Sequence, residues 1–272
     1  EFMHEFDGAW MQHLESSLRS GMRDDEDLFT MPTSSYRGEC PICFLPHSLD
    51  PSKSRMMTCC SKVICHGCCI TEEIHALEGS REHKCIFCRE PTPNSVEEAD
   101  RQEMKRVKAN DPVAMREVGI QCYKKGNFEG AFIFYTKAAG LGDIAAHYQL
   151  SLLYRDGEGV EKDLKKEIHH LEEAAIGGHP VARTRLGVYE GMSGNTERAM
   201  KHFIIAANLG FDLALKYVEH GLEFGDVSEE EYASTLRGYQ AAVDATKNEF
   251  RDKADAFYKW ESEQRNNQVK AV

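Results

Sequence analysis

Between residues 111 and 225 small and apolar residues return in blocks. "DPVAMREVG" from 111, "DIAAHYQLS" from 143, "HPVARTRLG" from 179 and "FDLALKYVE" from 211 open segments stepped by 32, 36 and 32 residues. "YTKAAGLG", "LEEAAIGG" and "FIIAANLG" follow at 135, 171 and 203. Each unit reads as a helix, a glycine-containing turn ("KKGNF", "RDGEGVEKD", "GMSGN"), a second helix and a glycine stop. Alanines recur at 114, 146, 182 and 214 and as pairs at 138–139, 174–175 and 206–207, where close helix approach is expected. Tyr123, Phe134, Tyr154, Leu171, Tyr189 and Phe203 are the large residues expected to fill between them. One such unit cannot bury its apolar face, and stacked units can, so the pattern predicts an α-solenoid.

The flanks carry weaker patterns. Residues 1–35 are acidic and read as a disordered tail, although Trp10, Leu14 and Leu18 have the i, i+4, i+8 spacing of a short amphipathic helix. Ser95-Val96-Glu97-Glu98 is spaced as a capping box and predicts a linker helix over 94–110. Ser228-Glu229-Glu230-Glu231 is a second box. It predicts a C-terminal capping helix over 226–260, with Tyr232, Leu236, Tyr239 and Val243 along the side that covers the last repeat. Residues 261–272 are expected to fray.

The chemistry is concentrated in residues 36–93. Nine of the ten cysteines lie between Cys40 and Cys88, in Cys40-x-x-Cys43, Cys59-Cys60, Cys65-x-x-Cys68 with Cys69 after it, and Cys85-x-x-Cys88. Disulfides that staple a whole fold would be spread along it; paired C-x-x-C units in one short segment point to zinc. Eight thiols suffice for two tetrahedral sites. So short a segment buries little core, so metal would supply much of its folding free energy.

Two family resemblances follow from these residues. "AAHYQLSLLYRDGEGVEKDLKKEIHHLEEAAIGGHPVA" resembles a Sel1-like repeat. Ala146, Leu150, Tyr154, Gly157, Gly159, Val160, Asp163, Ala174, Ala175 and Gly178 fill its pattern, with Ser151 in place of a glycine. The outer units match less closely, and the resemblance covers residues 111–225. "ECPICF" and "CIFCREP", with "CC-x-x-x-I-C-x-x-C" between them, resemble a RING finger in which the usual histidine is absent and Lys62 stands at its place. The resemblance implies a cross-brace with two zinc ions. One would sit on Cys40, Cys43, Cys65 and Cys68, the other on Cys60, Cys85, Cys88 and a fourth ligand. Cys59 is nearest for that place, with His66, His83 and Cys69 as alternatives.

The RING resemblance further implies an E3 ubiquitin ligase that acts by positioning a ubiquitin-conjugating enzyme, with no nucleophile of its own. Ile42, Arg89 and Pro91 match the family's conjugating-enzyme contacts. Glu72 stands where a large apolar residue is usual, and Ile70 or Ile74 would have to substitute. The repeats would bind substrate or partner proteins. The alternative is a non-enzymatic zinc-binding scaffold for protein–protein interaction. The fold class expected is therefore mainly α: a small zinc-stabilised RING domain followed by a solenoid of Sel1-like repeats.

Composition removes other classes. A net charge of −12 and the lack of a basic stripe argue against nucleic acid as a partner. No long apolar run predicts a membrane span. "EFMHEFDGAW" lacks a signal peptide's basic start and apolar stretch, so an intracellular site, cytoplasmic or nuclear, is expected. His169 and His170 are adjacent, point apart and read as surface histidines; Cys122 reads as a small core residue.

Overall fold

A computed structural model of the chain describes residues 8–21, 23, 25–78 and 84–270. In chain order the elements are α1 (Gly8–Gly21), α2 (Asp25–Phe29), β1 (Ser54–Met56), β2 (Val63–Cys65), α3 (His66–Glu78) and α4 (Val96–Lys108). Seven helices of 13 residues follow: α5 (Pro112–Lys124), α6 (Phe128–Gly140), α7 (Ile144–Asp156), α8 (Leu164–Ile176), α9 (Pro180–Met192), α10 (Thr196–Asn208) and α11 (Asp212–Phe224). The chain ends with α12 (Glu229–Ala245) and α13 (Glu249–Lys270). Two units form, one from Glu1–Tyr36 with Asn110–Ala242, the other from Arg37–Ala109 with Val243–Val272.

In the first unit the repeated blocks become helical hairpins. Side chains at their starts accept the free amides of the first turn: Asp111 from Val113 and Ala114, Asp143 from Ala146, and His179 from Ala182. Pro112 and Pro180 take the first helical position, where a missing N–H costs nothing. The recurrent alanines are buried, and Tyr154, Leu171, Tyr189 and Phe203 pack among them as expected. Tyr123 is a correction, at 37% exposed, and Phe134 is only half-buried. The next residue, Tyr135, takes the core position instead, because neighbours on a helix point about 100° apart and one of the two must face outward.

Ser151 has a packing explanation. At the matching positions, a Cβ on Gly119 would meet the Tyr135 ring at 2.6 Å, and one on Gly187 would meet the Phe203 ring at 2.6 Å. The middle repeat carries Leu171 where those rings stand, and there Ser151 is buried with its hydroxyl donating to the Tyr148 carbonyl.

The acidic N-terminal segment differs from expectation. Its described residues fold onto the repeats, because Leu14, Leu18 and Leu28 find an apolar surface there. Leu14, Leu18 and Leu28 are buried in one cluster with Ile168, Leu171, Ala182 and Leu186, and Trp10 meets Tyr189 edge to face. The fully buried Arg183 donates to the Leu28 carbonyl at 2.6 Å and the Ala175 carbonyl at 2.8 Å. Arg198 pairs with Asp25 and with the buried Glu190, and Arg23 pairs with Glu173.

Glu172 lies beside this seam, 1% exposed, and burial pushes its carboxyl up from 4.5 to about 7. Between those values the native state holds a proton that the unfolded chain has lost. The stability it contributes is therefore complete below 4.5 and is lost as pH rises through 7, on the order of 3 kcal/mol in all. Desolvation pushes down the imidazoles of the half-buried His170 and the buried His202, which acts with the opposite sign below their ordinary value. Comparison with Glu172→Gln isolates the carboxyl. The variant's advantage in urea unfolding should grow from pH 5 to 7 and be flat above; an advantage that does not vary with pH would mean that Glu172 ionises normally.

The C-terminal helix is also corrected. Rather than one helix over 226–260 there are two, because Asn248 accepts from the Arg251 amide and starts α13 afresh. Tyr232 of α12 packs with Phe203, Val218 and Val227 on the last repeat. Leu236 is 41% exposed, so it does not share that packing. α13 continues to Lys270 and belongs to the unit that holds the cysteine cluster. His170 is half-buried against Tyr154, with its Nδ1 3.0 Å from that of His147, whereas His169 is exposed. Cys122 is half-buried.

Candidate metal centre

Three turns of one conformation build this site. The Phe44 amide donates to the Cys40 carbonyl at 2.8 Å, and the Cys40 amide donates to the Leu45 carbonyl. Cys85 repeats this with Arg89 and Glu90. In the middle turn Ser61 donates to the Met57 carbonyl at 2.7 Å, and Met57 donates to Lys62. The residue that closes each turn is left-handed: Phe44 at φ 56°, Ser61 at 56° and Arg89 at 63°. Cys60 therefore stands where Cys43 and Cys88 stand, while Met57 occupies the place of Cys40 and Cys85. The fourth thiol of that group comes from Cys59.

β1 and β2 pair antiparallel and deliver Cys65 at the end of β2, with Cys68 in the first turn of α3. The result is two groups of four. The Sγ atoms of Cys40, Cys43, Cys65 and Cys68 lie within 4.8 Å of one another, and so do those of Cys59, Cys60, Cys85 and Cys88. The two groups interleave along the chain. The Cys43–Cys65 and Cys60–Cys85 separations are 3.8 and 3.7 Å. A tetrahedron of thiolates at about 2.3 Å from a central ion has edges of about 3.8 Å, so the donors fit a four-coordinate soft metal such as zinc.

Electrostatics point the same way. A hydrogen bond from Cys65 holds the Cys40 thiol down near 3, while the same bond and burial push Cys65 up. Burial pushes Cys59 up and Cys68 up to about 12. Against burial, the amides of Cys88 and Phe87 hold Cys85 down. Four packed thiols cannot all ionise alone; a divalent cation among them would make all four thiolates favourable.

The other candidate ligands lie elsewhere. Cys69 is buried with its Sγ 3.7 Å from Glu73 Oε1, and the His66 ring packs at a tilt against Tyr258, 4.2 Å between centroids. His83 lies outside the described residues.

Ile42 packs on Cys40, Ile64 and Cys65 and borders a recess of about 170 Å³ with Thr71 and Glu72. Arg89 and Pro91 are exposed and do not line it, nor do Ile70 and Ile74. Phe250 and Arg251 of α13 form its other wall. Neither is marked by any local motif. The helix expected as a linker also belongs here. Gln102 of α4 accepts from the Thr58 hydroxyl and donates to the Pro91 carbonyl, joining the chain before Cys59 to the chain after Cys88.

The repeat unit carries a separate groove of about 1010 Å³, lined with aromatic rings that include Trp10, Tyr154, Tyr189, Phe203 and Tyr217. Arg185 and Glu167 lie among them, and Glu167 accepts from the Tyr189 hydroxyl at 2.7 Å. No helix among the described residues is long and apolar enough to cross a membrane.

Comparison with known proteins places the repeats. The Sel1 repeat family matches residues 112–143, 144–179 and 180–211, so this part of the chain is a Sel1-repeat solenoid, suited to protein–protein interaction. Nine of the ten cysteines, Cys40 to Cys88, lie outside that match. An uncharacterized protein of Neisseria meningitidis serogroup B is 42% identical over 60 residues, which are 22% of this chain and 13% of that protein. A Sel1 repeat protein from Oxalobacter formigenes is similar in structure (TM-score 0.48, 20% identity, 66% of this chain and 75% of that one). So is c5321, a protective antigen of uropathogenic Escherichia coli with an SLR fold (TM-score 0.43, 19% identity, 61% of this chain and 37% of that one).

Proposed function

We propose that residues 36–93 are a RING-type zinc module and that the protein is an intracellular E3 ubiquitin ligase or ligase subunit. One zinc ion is held by Cys40, Cys43, Cys65 and Cys68, the other by Cys59, Cys60, Cys85 and Cys88. The observation that carries the reading is the pair of interleaved four-thiol groups with edges of 3.8 and 3.7 Å. Zinc here supplies folding free energy and acts on no substrate.

The module docks a ubiquitin-charged conjugating enzyme at Ile42 and, outside the recess, at the exposed Arg89 and Pro91. Arg89 suits a bridge to ubiquitin because its fork donates to two carbonyls at once. Phe250, 64% exposed on the same recess, supplies the apolar surface that Glu72 lacks. The aromatic groove of the repeats takes the substrate or partner protein. Catalysis is by positioning.

The test is polyubiquitin formation across a panel of conjugating enzymes. Ile42→Ala and Arg89→Ala are each expected to lower the rate about 10-fold, which is about 1.4 kcal/mol of lost stabilisation. If polyubiquitin never forms with the parent protein, the ligase reading fails. The second reading is a scaffold without ligase activity, favoured by the charge of Glu72 within the recess. On that reading the module binds no conjugating enzyme at all.

A further inference from the structure

We propose that α13 is a built part of the first cysteine group, so that metal binding there and docking of residues 249–260 are one linked equilibrium. The proposal rests on the metal reading above.

Arg251 is 7% exposed, and its guanidinium is spent on the first turn. Nη1 donates to the Pro46 carbonyl at 2.6 Å and to the Thr246 carbonyl at 2.7 Å. Nη2 donates to the Leu45 carbonyl at 3.1 Å and to Cys43 Sγ at 3.3 Å. Leu45 is also the acceptor that closes the Cys40 turn, and Pro46 bridges back to Glu39. One side chain thus holds a candidate ligand and the backbone that orients it.

The approach is built from the other side as well. Gly67 sits between Cys65 and Cys68, and a Cβ there would meet the Arg251 amide nitrogen at 2.9 Å and the Phe250 carbonyl carbon at 3.0 Å. Only glycine lets α13 come this close. Along the helix Ala254 is 2% exposed, Asp255 pairs with Lys53 at 2.6 Å, and the Tyr258 ring packs at a tilt against His66. Arg251, Ala254 and Tyr258 fall at i, i+3 and i+7, one face of the helix.

The physical reason is charge. Four thiolates around a divalent cation leave two negative charges, and a fixed cation that donates to one sulfur offsets part of them. Partners that hydrogen-bond a ligand typically change metal affinity 10–100-fold when removed. Linkage makes the effect reciprocal: whatever loosens α13 weakens the metal, and removing the metal loosens α13.

The test uses the full chain loaded with zinc and titrated with a chromophoric chelator. Arg251→Ala is expected to weaken one of two zinc ions about 10–100-fold and leave the other at parental affinity. Arg251→Lys keeps the charge but not the fork, and should lie between. Ala254→Asp removes no bond to a cysteine, and it should weaken the same ion. In parallel, hydrogen exchange of amides 249–260 should rise when the chelator strips that ion. Parental affinity for both ions in Arg251→Ala, Arg251→Lys and Ala254→Asp overturns the proposal, as does exchange unchanged by chelation. A parent protein with fewer than two zinc ions would overturn the metal reading beneath it, an outcome visible before any variant is compared.

Discussion

Purified protein is expected to carry two zinc ions, and Cys59→Ala to carry one. Elemental analysis reads both numbers directly. Cys59→Ala removes one of only four donors to the second group, and no other thiol is placed to replace it: Cys69 is buried beside Glu73. Structural zinc contributes about 10–16 kcal/mol in small modules, more than a segment of this size gains from its apolar contacts. A strong chelator should therefore unfold residues 37–109 and leave the helical signal of the repeats in place. A variant that still held two ions would mean that Cys59 is not a ligand; a parent with one ion would rule out the interleaved pair.

Arg183→Ala should lower the stability of the repeat unit by about 2–4 kcal/mol. The direction follows from two opposing effects. Burial disfavours the charge, and it pulls the guanidinium down to about 10. The two carbonyls it serves, Leu28 and Ala175, are buried with it, and truncation leaves both without that donor beside a new void. Arg183→Met fills the void but supplies no donor, so it should recover only part of the loss. Urea unfolding of the three proteins measures this. The N-terminal segment should also become more sensitive to protease in both variants, because Leu28 is the point at which Arg183 holds it. Equal stability of Arg183→Met and the parent would mean that the two hydrogen bonds only balance the cost of burying the charge.

Legibility divided along physical lines. The repeat helices, their caps and their alanine seams could be read because each depends on residues three or four apart, or on one repeat length. Cys40, Cys43, Cys65, Cys68, Cys85 and Cys88 were equally open to reading, since two thiols separated by two residues fit one turn. Cys59 was harder, because adjacent cysteines ordinarily point apart. The middle turn explains it, since Met57 stands where the first cysteine of a pair would be. The N-terminal segment looked like a tail because its apolar residues are few and its charge high. It packs because Leu14, Leu18 and Leu28 meet a surface made by residues far along the chain.

The order of amino acids was enough to state that this is a helical repeat protein with a cysteine module, because periodicity and ligand spacing are local properties. It could not state which large residue of Phe134 and Tyr135 faces inward, why Ser151 replaces a glycine, or that α13 reaches the cysteines. Those answers depend on what lies opposite each residue once the chain is folded. Arg251 and Cys43 are 208 positions apart, and only folding brings a guanidinium to that sulfur.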